Sequence, residues 1–428
     1  MSAVVELPIS GDSNQYVLHA WNLVHHGEFS TQVPGSDIVV DEDHRGPGYP
    51  LLIAAAMIAA GHSDLPLREG PRGTVVLGLP DDTWMQYVYA IQAVLGAATV
   101  LLTIAIARFW LSRRIALACG CLVALWPHMV ASTDVLLVEV LFSFVLVLSI
   151  YMALRTIVAA TVLSAGLAGL CFGLAYWVNP VIAVFVLFVG AMIWARSTPR
   201  RASVFLIAFA ILPVAWNGSM APAGGGLWTR AAGPLVVGSW PQFYAAYNSR
   251  FDNAVSAQII AAYSEEQEVF DRNASEGFRM MKNRMSLDPV YYLQWYLLSK
   301  PYLLWDWVIR IGPGEFYTRT THNSPYDTNP LFRASASVYK VLNPIYFFSA
   351  LLAAGGLVVR YFRHRGNQEN AAAFVVAALF FYVTIVYSIL QSEPRYSTPF
   401  RPFEVMLAMT VIGSLWHAVD ARRSLAGD

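Results

Sequence analysis

Acidic, basic and histidine side chains are concentrated in residues 11–50, ahead of a much more apolar sequence. The side chains in this stretch that could take part in catalysis or bind a substrate are Asp12, Asp41, Asp43, His44 and Arg45. A carboxylate beside a substrate hydroxyl can accept its proton, and a cation can neutralise charge that develops on a phosphate. We therefore take Asp12, Asp41 and Asp43 as candidate catalytic bases. The alternative is a solvated loop that only joins helices.

The composition is that of a membrane protein. Of 428 residues, 56% are hydrophobic and 13% are charged, and the mean hydropathy is +0.48. Soluble domains carry about 25% charged residues, so we predict an all-α polytopic membrane protein. The formal net charge is zero, and nothing indicates a nucleic-acid partner. Cys119, Cys121 and Cys171 lie in apolar runs, which favours a packing role over a disulfide or a metal site.

Apolar segments predict nine membrane-spanning helices, preceded by one apolar run that is too short to span. That run, residues 47–61, predicts an interfacial helix starting at Pro50, because a span needs about 20 residues. The predicted spans are 84–107, 115–131, 136–154, 157–176, 180–195, 202–217, 338–359, 371–390 and 403–419. We divide the chain into a first outer loop (1–83), six spans (84–217), a large loop (218–337) and a region with three spans (338–428).

The arginines predict the orientation of these spans. One set of turns, with the C-terminal tail, carries twelve arginines, whereas the opposite short turns carry only Arg395 and Arg401. The arginine-rich side is expected to be cytoplasmic. Residues 1–83, 218–337 and 391–402 then share the outer face of the plasma (inner) membrane. An outer N-terminus needs a route across the bilayer, so a further span is expected ahead of Met1.

Two segments of the large loop have recognisable patterns. Residues 254–285 alternate apolar and charged positions at helical spacing, which predicts an amphipathic helix. Residues 288–310 are dense in Tyr and Trp. Such a segment is either an interfacial anchor or a wall that stacks against a sugar or lipid.

Other polar residues lie near the predicted outer ends of spans. Glu139 lies near the start of the third span, and Glu393, Arg395, Tyr396 and Arg401 occupy the last outer turn. An arginine there either forms a salt bridge with Glu393 or grips a phosphate with its planar fork. His19, His25 and His26 lack zinc-ligand spacing with a second helix, so no metal site is predicted.

Several motifs together resemble one family. The sequences "GDSNQYVLHAWNLVHHGEFS", "HRGPGYPLLIAA", "IQAVLGAATVLL", "LLVEVLFSFVLVL" and "EPRYSTPFRP" resemble successive signatures of the GT-C membrane glycosyltransferases. The branch indicated is the one related to protein O-mannosyltransferases and lipid A aminoarabinose transferases. The resemblance implies a GT-C-like helix bundle that moves a sugar from a polyprenyl-phosphate carrier to an acceptor at the outer face.

The resemblance also implies roles for particular residues. Asp12 matches the catalytic aspartate of the first outer loop, and Asp41 and Asp43 remain alternative bases. The residues expected to bind substrate are Tyr16, His44, Arg45, Glu139, Glu393, Arg395 and Tyr396. The expected partners are a polyprenyl-phosphate-sugar donor, the bilayer, and a glycan, lipid or protein acceptor. The cofactor is unknown, and the chemistry leaves room for a divalent cation.

The expected chemistry needs only one carboxylate. Phosphate departs as an anion and requires no general acid, whereas glycoside hydrolysis uses two carboxylates across the bond. Two other classes remain open. A transporter or flippase would place ionisable residues at mid-bilayer and show internal repeats. A non-catalytic lipid-binding subunit of the same fold is supported by departures from the family pattern at Asn179-Pro180 and Trp216-Asn217.

Overall fold

The computed structural model describes most of the chain. The described residues are 4–5, 9, 11–33, 45–61, 67–69, 75–77, 83–159, 161–219, 227–364 and 366–426. Asp12 and Arg45 are among them. The candidate residues Asp41, Asp43 and His44 lie outside the described residues.

The first half of the chain is almost entirely helical. Its helices are α1 (Asp12–His26), α2 (Gly48–Ala60), α3 (Thr83–Ala107), α4 (Arg113–Ala124), α5 (Pro127–Ala131), α6 (Glu139–Ala159), α7 (Val162–Val178), α8 (Ala183–Arg196) and α9 (Pro199–Ser219). Short 3₁₀ turns at Ser132–Asp134 and Pro180–Ile182 follow α5 and precede α8.

The second half is also helical, with shorter elements at first. Its helices are α10 (Leu227–Gly238), α11 (Phe243–Ser249), α12 (Ala254–Arg272), α13 (Ala274–Ser286), α14 (Pro289–Gln294), α15 (Lys300–Leu304), α16 (Pro325–Thr328), α17 (Pro330–Arg363), α18 (Gln368–Ile389), α19 (Pro394–Ser397) and α20 (Arg401–Ala426). A π-helical turn, Trp295–Ser299, joins α14 to α15, and a 3₁₀ turn, Thr398–Phe400, precedes α20.

Two short antiparallel strand pairs complete the secondary structure. β1 (Val4–Val5) pairs with β4 (Thr321–His322), and Val4 lies opposite His322. β2 (Leu67–Glu69) pairs with β3 (Val75–Leu77). The β1–β4 pair joins the start of the chain to a segment more than 300 residues away.

The chain forms two compact units. The first consists of Met1–Ala221, Arg319–Phe381 and Thr398–Asp428. The second consists of Pro222–Thr318 and Tyr382–Ser397. The large loop that the sequence delimits as 218–337 therefore divides near residue 318, and its last part belongs to the first unit.

The predicted all-α polytopic fold is confirmed. The predicted apolar segments lie largely on helices, but the segment 157–176 runs from the end of α6 into α7, and residues 136–138 precede α6. Among the described residues, five helices are long and apolar enough to cross a membrane: α3, α6, α9, α17 and α18. A sixth candidate is the pair α4 and α5, which continues to Asp134 and is bent by 49°. Exposed apolar side chains such as Val94 and Leu101 on α3 suit contact with lipid.

Two local expectations need correction. The amphipathic segment 254–285 is two helices instead of one, because the Asn273 side chain accepts a hydrogen bond from the Glu276 amide and starts α13. The short apolar helix begins at Gly48 instead of Pro50, so Pro50 falls within its first turn, where proline is tolerated. α2 packs against α1, α3 and α7.

Candidate active site

Asp12 lies at the very start of α1 and faces a cation. Gly11 precedes it with φ of 51°, a left-handed backbone that glycine adopts readily. The Asp12 Oδ1 atom accepts a hydrogen bond from Arg45 Nη2 at 3.0 Å. The Asp12 side chain is 34% exposed and that of Arg45 is 24% exposed. This partial exposure leaves the carboxylate accessible to a ligand.

Asp12 is the first residue of α1, and Gly11 occupies the N-cap position before it. The carboxylate at the first helical position interacts favourably with the positive end of the helix dipole.

Arg45 is held in place by other side chains of α1. Its Nε donates to Gln15 Oε1 at 2.7 Å, and its guanidinium lies 5.3 Å from the centre of the Tyr16 ring. Asp12, Gln15 and Tyr16 share one helix face at spacings of three and four residues. The Tyr16 ring in turn meets the Tyr49 ring edge-on at 5.2 Å. One face of α1 thus positions both the acid and the arginine.

A second guanidinium, which the sequence did not identify, lies beside the first turn of α1. A Cβ atom added to Gly11 would come within 3.0 Å of Arg319 Nη2. The β1–β4 pair brings the segment after Arg319 to the start of the chain. No local motif marks Arg319, and pairing of two-residue strands more than 300 residues apart leaves no periodic pattern, so only the structure reveals this proximity.

His19 lies one further turn along the same helix, where it is buried and stacked on Phe29 at 3.9 Å between ring centroids. Within the described part of the chain, neither ring nitrogen makes a hydrogen bond. Burial, together with the charge of Arg45, lowers the pKa of His19 to about 4. His19 is therefore neutral near pH 7 and adds no charge to the site.

Glu139 begins α6 and lines a largely apolar cavity of about 290 Å³ in the first unit. The polar side chains of its lining are Thr99, Ser132, Thr133, Glu139, Ser143 and Thr398. The turn before α6 is fixed by Gln92, whose Nε2 donates to the carbonyl oxygens of Thr133 at 2.8 Å and Val135 at 3.1 Å. The Tyr49 hydroxyl donates to Gln92 Oε1 at 2.9 Å.

Glu393 belongs to the second unit and organises two arginine-bearing segments. Its carboxylate accepts the backbone N–H groups of Arg310 at 2.8 Å and Arg395 at 2.6 Å. Burial raises the pKa of Glu393 to about 7, although these hydrogen bonds and the charge of Arg395 oppose the rise. The Tyr396 ring stacks on Tyr387 at 5.5 Å. Glu393 thus stabilises the conformation of the Glu-x-Arg-Tyr turn through these hydrogen bonds.

Arg401 has a different environment from the one expected for a phosphate ligand. It is the first residue of α20, and its Nη1 donates to Glu404 Oε2 at 2.7 Å and to Asn343 Oδ1 at 3.2 Å. Both charged side chains are 0% exposed. The suggestion that Arg401 grips a phosphate is therefore not supported by its position, because its charge is enclosed inside the first unit.

Among the described residues, no group of three His, Cys, Asp or Glu side chains is placed to hold a metal ion. The described site contains one accessible acid, Asp12, with Arg45 and Arg319 beside it. Such a set can take a proton from a hydroxyl group and bind an anion.

The chain was compared with known proteins. No curated protein sequence matches it. An archaeal oligosaccharyltransferase from Archaeoglobus fulgidus, solved with an inhibitory peptide and a dolichol-phosphate, aligns at 13% identity with a TM-score of 0.47. That alignment covers 98% of this chain and 48% of the other, so this chain spans about half the length of that enzyme. ArnT from Cupriavidus metallidurans bound to undecaprenyl phosphate aligns at 15% identity with a TM-score of 0.35, covering 90% and 74%.

A family model provides the stronger comparison. Residues 15–214 match the family described as dolichyl-phosphate-mannose-protein mannosyltransferase. The match begins three residues after Asp12, contains Arg45 and Glu139, and ends before Arg319 and Glu393. The predicted resemblance to the GT-C membrane glycosyltransferases, in the branch related to protein O-mannosyltransferases, is confirmed by this match, which covers somewhat less than half of the chain.

Proposed function

We propose that the protein is an integral membrane glycosyltransferase that moves a sugar from a polyprenyl-phosphate-linked donor to an acceptor at the outer face of the plasma membrane. The family match over residues 15–214 supports a lipid-linked donor. The observation that carries the mechanism is the accessible Asp12 carboxylate, held by Arg45 with Arg319 close by. The acceptor is a glycan, a lipid or a protein.

Asp12 acts as the general base in a single displacement. Its carboxylate takes the proton of the acceptor hydroxyl while the acceptor oxygen bonds to the anomeric carbon of the sugar. The bond from that carbon to the phosphate oxygen breaks, and the polyprenyl phosphate leaves with the electron pair. Attack from the face opposite the phosphate inverts the configuration at the anomeric carbon.

Arg45 and Arg319 neutralise the phosphate as its charge grows. Guanidinium groups form strong, charge-assisted hydrogen bonds with phosphate oxygens, so these two arginines suit an anionic donor. Arg45 is preorganised for this role by Gln15 and Tyr16, so little reorganisation is needed during the reaction. A site built for a neutral sugar would have no need of two cations.

Arg395 is proposed as a further donor ligand, with Glu393 as its positioning residue. The support is the family resemblance of the turn together with the hydrogen bond from the Arg395 amide to Glu393. Arg395→Lys should weaken donor binding, because lysine lacks the planar two-pronged fork. If Arg395→Ala leaves donor affinity unchanged and lowers thermal stability, the residue serves only the fold.

The outer-face location can be tested by cysteine labelling. Ser36→Cys and Ser275→Cys, each in a protein without native cysteines, should react in intact cells with a membrane-impermeant maleimide. Ser275 is exposed in the second unit, whereas Ser36 lies outside the described residues. Protection of either position in intact cells, with labelling after permeabilisation, would overturn the proposed sidedness.

The activity is tested in proteoliposomes with radiolabelled polyprenyl-phosphate sugars and membrane extracts as the acceptor source. We expect release of polyprenyl phosphate together with labelled acceptor, and a product whose anomeric configuration is opposite to that of the donor. Retention of configuration would contradict the single displacement. Normal turnover when Asp12, Asp41 and Asp43 are all replaced by Asn would leave the non-catalytic subunit as the better description.

A further inference from the structure

The helical segment from Pro289 to Leu304 has its polar and apolar faces reversed. Its outer face carries leucine and valine, with Leu297 63% exposed and Leu298 68% exposed. Its inner face carries Lys300, which is 0% exposed. The exposed apolar side chains of this segment are Val290, Tyr291, Leu293, Leu297, Leu298 and Tyr302. A helix in contact with water would present the opposite arrangement.

The inner face is fixed by hydrogen bonds to backbone groups of the second unit. The Lys300 ammonium donates to the carbonyl oxygens of Gly238 and Leu390, and it lies 4.4 Å from the centre of the Tyr296 ring. The Trp295 indole N–H donates to the same Gly238 carbonyl at 3.0 Å. These carbonyl groups give the buried Lys300 side chain hydrogen-bond partners, although burial still lowers the pKa of Lys300 to about 7.

The segment is attached to the end of a candidate membrane span. Leu390 directly follows α18, and the Trp305 indole donates to Thr384 Oγ1 at 2.9 Å inside the last turns of that helix. At a rise of about 1.5 Å per residue, Thr384 lies about 8 Å before the helix end. Ile385 and Ile389 on α18 also expose apolar side chains. The apolar face therefore lies next to a helix surface that already suits lipid.

The backbone of the segment also departs from a regular α-helix. A π-helical turn, Trp295–Ser299, precedes Lys300 and Pro301. Proline lacks the amide hydrogen that an α-helix would use at this position, so the regular pattern is interrupted there. The break falls where Lys300 turns inward.

We propose that the segment from Pro289 to Leu304 is embedded in the lipid leaflet around the C-terminal end of α18, with Val290, Leu293, Leu297 and Leu298 in contact with acyl chains. The aromatic residues then lie near the headgroup level, where Trp and Tyr are favoured. The bilayer, and not a sugar, covers the exposed face. This inference is independent of the proposed enzymatic activity.

The proposal is tested by spin labels at Leu293→Cys and Leu297→Cys in full-length protein reconstituted in phosphatidylcholine–phosphatidylglycerol vesicles. Cys121 and Cys171 are first replaced by Ala, and buried Cys119 is retained if its replacement reduces folding. Matched controls are Val94→Cys, on the exposed surface of the span α3, and Asp271→Cys, on an exposed polar position of the second unit. Each label is measured for collision with oxygen and with a water-soluble nickel chelate.

Labels at Leu293 and Leu297 should resemble the Val94 label, with at least severalfold more collision with oxygen than with the nickel chelate. A ratio equal to that of the Asp271 label would place the face in water and overturn the proposal. An immobile label shielded from both reagents would mean that a protein surface covers the face, and this would also overturn it.

Discussion

Two acid–arginine pairs among the described residues of the first unit differ in burial. Asp12 and Arg45 are 3.0 Å apart and remain 34% and 24% exposed. Glu404 and Arg401 are 2.7 Å apart and 0% exposed. The residues of the first pair are 33 positions apart in the sequence and those of the second pair are three apart, and neither spacing predicts the burial of the pair. The structure distinguishes a pair that can exchange partners from a pair that cannot.

The difference in burial decides what each pair can do. A half-exposed ion pair contributes only about 0–1 kcal/mol to stability, so opening it to admit a substrate is inexpensive. A buried pair is costly to break, because the remaining charge has no solvent to compensate it. The Asp12 pair is therefore suited to catalysis, whereas the Arg401 pair is suited to fixing α20 against Asn343 of α17.

The largest effect is expected from Glu404→Leu. This change leaves the Arg401 guanidinium buried without its carboxylate and should lower the free energy of unfolding by about 3–5 kcal/mol. Unfolding in mixed micelles with increasing denaturing detergent measures the loss. The double variant Arg401→Met with Glu404→Leu should recover most of it, because it removes both charges. Wild-type stability of Glu404→Leu would show that the pair does not hold the fold.

Glu393 tests whether a buried acid makes the free energy of unfolding depend on pH. Its pKa is about 7 in the folded protein against an ordinary value of 4.5, so the folded state retains a proton that the unfolded state has released. The free energy of unfolding should therefore fall by about 3 kcal/mol as the pH rises from about 4.5 to about 7. Unfolding curves at a series of pH values measure this slope, and Glu393→Gln should remove it. An unchanged slope in that variant would assign the pH dependence to other groups.

Arg45→Lys should separate ligand binding from stability at the exposed pair. Lysine keeps the charge but loses the planar fork that contacts Gln15 and Asp12 together. Donor binding should weaken by about 1.5–3 kcal/mol, which is about 10–100-fold. The free energy of unfolding should change by less than about 1 kcal/mol. Equilibrium binding of a labelled donor lipid and unfolding curves are measured on one preparation. A large loss of stability with normal donor binding would show that the Asp12–Arg45 pair serves the fold and not the ligand.

Much of the helical architecture follows from the sequence. Apolar runs predicted the positions of the helices, as in the predicted span 84–107, which is helix α3, Thr83–Ala107. The break in the segment 254–285 was not predicted, because the helical spacing of its apolar residues continues through Asn273. Only the capping hydrogen bond of Asn273 reveals that a second helix begins there. Local patterns thus locate helices better than they locate interruptions within them.

The site was predictable only in part, because long-range contacts have no local pattern. Asp12 and Arg45 were identified from their residue types, and their hydrogen bond brings them together across 33 residues. Arg319 was missed because its position depends on the β1–β4 pair. The burial of the arginine side chains was also not predictable from the sequence. Arg395 and Arg401 are close together in one short segment of the sequence but have different environments.

The most direct test of the account is the single-turnover rate of Asp12→Asn with donor already bound. Asparagine keeps the shape of the side chain and removes the proton acceptor, so the rate should fall by about 10²–10⁴-fold. Donor affinity should remain near that of the wild type, and the free energy of unfolding should change by less than about 1 kcal/mol, because the ion pair of Asp12 is half-exposed. A wild-type rate in well-folded Asp12→Asn protein with bound donor would contradict the assignment of Asp12 as the base.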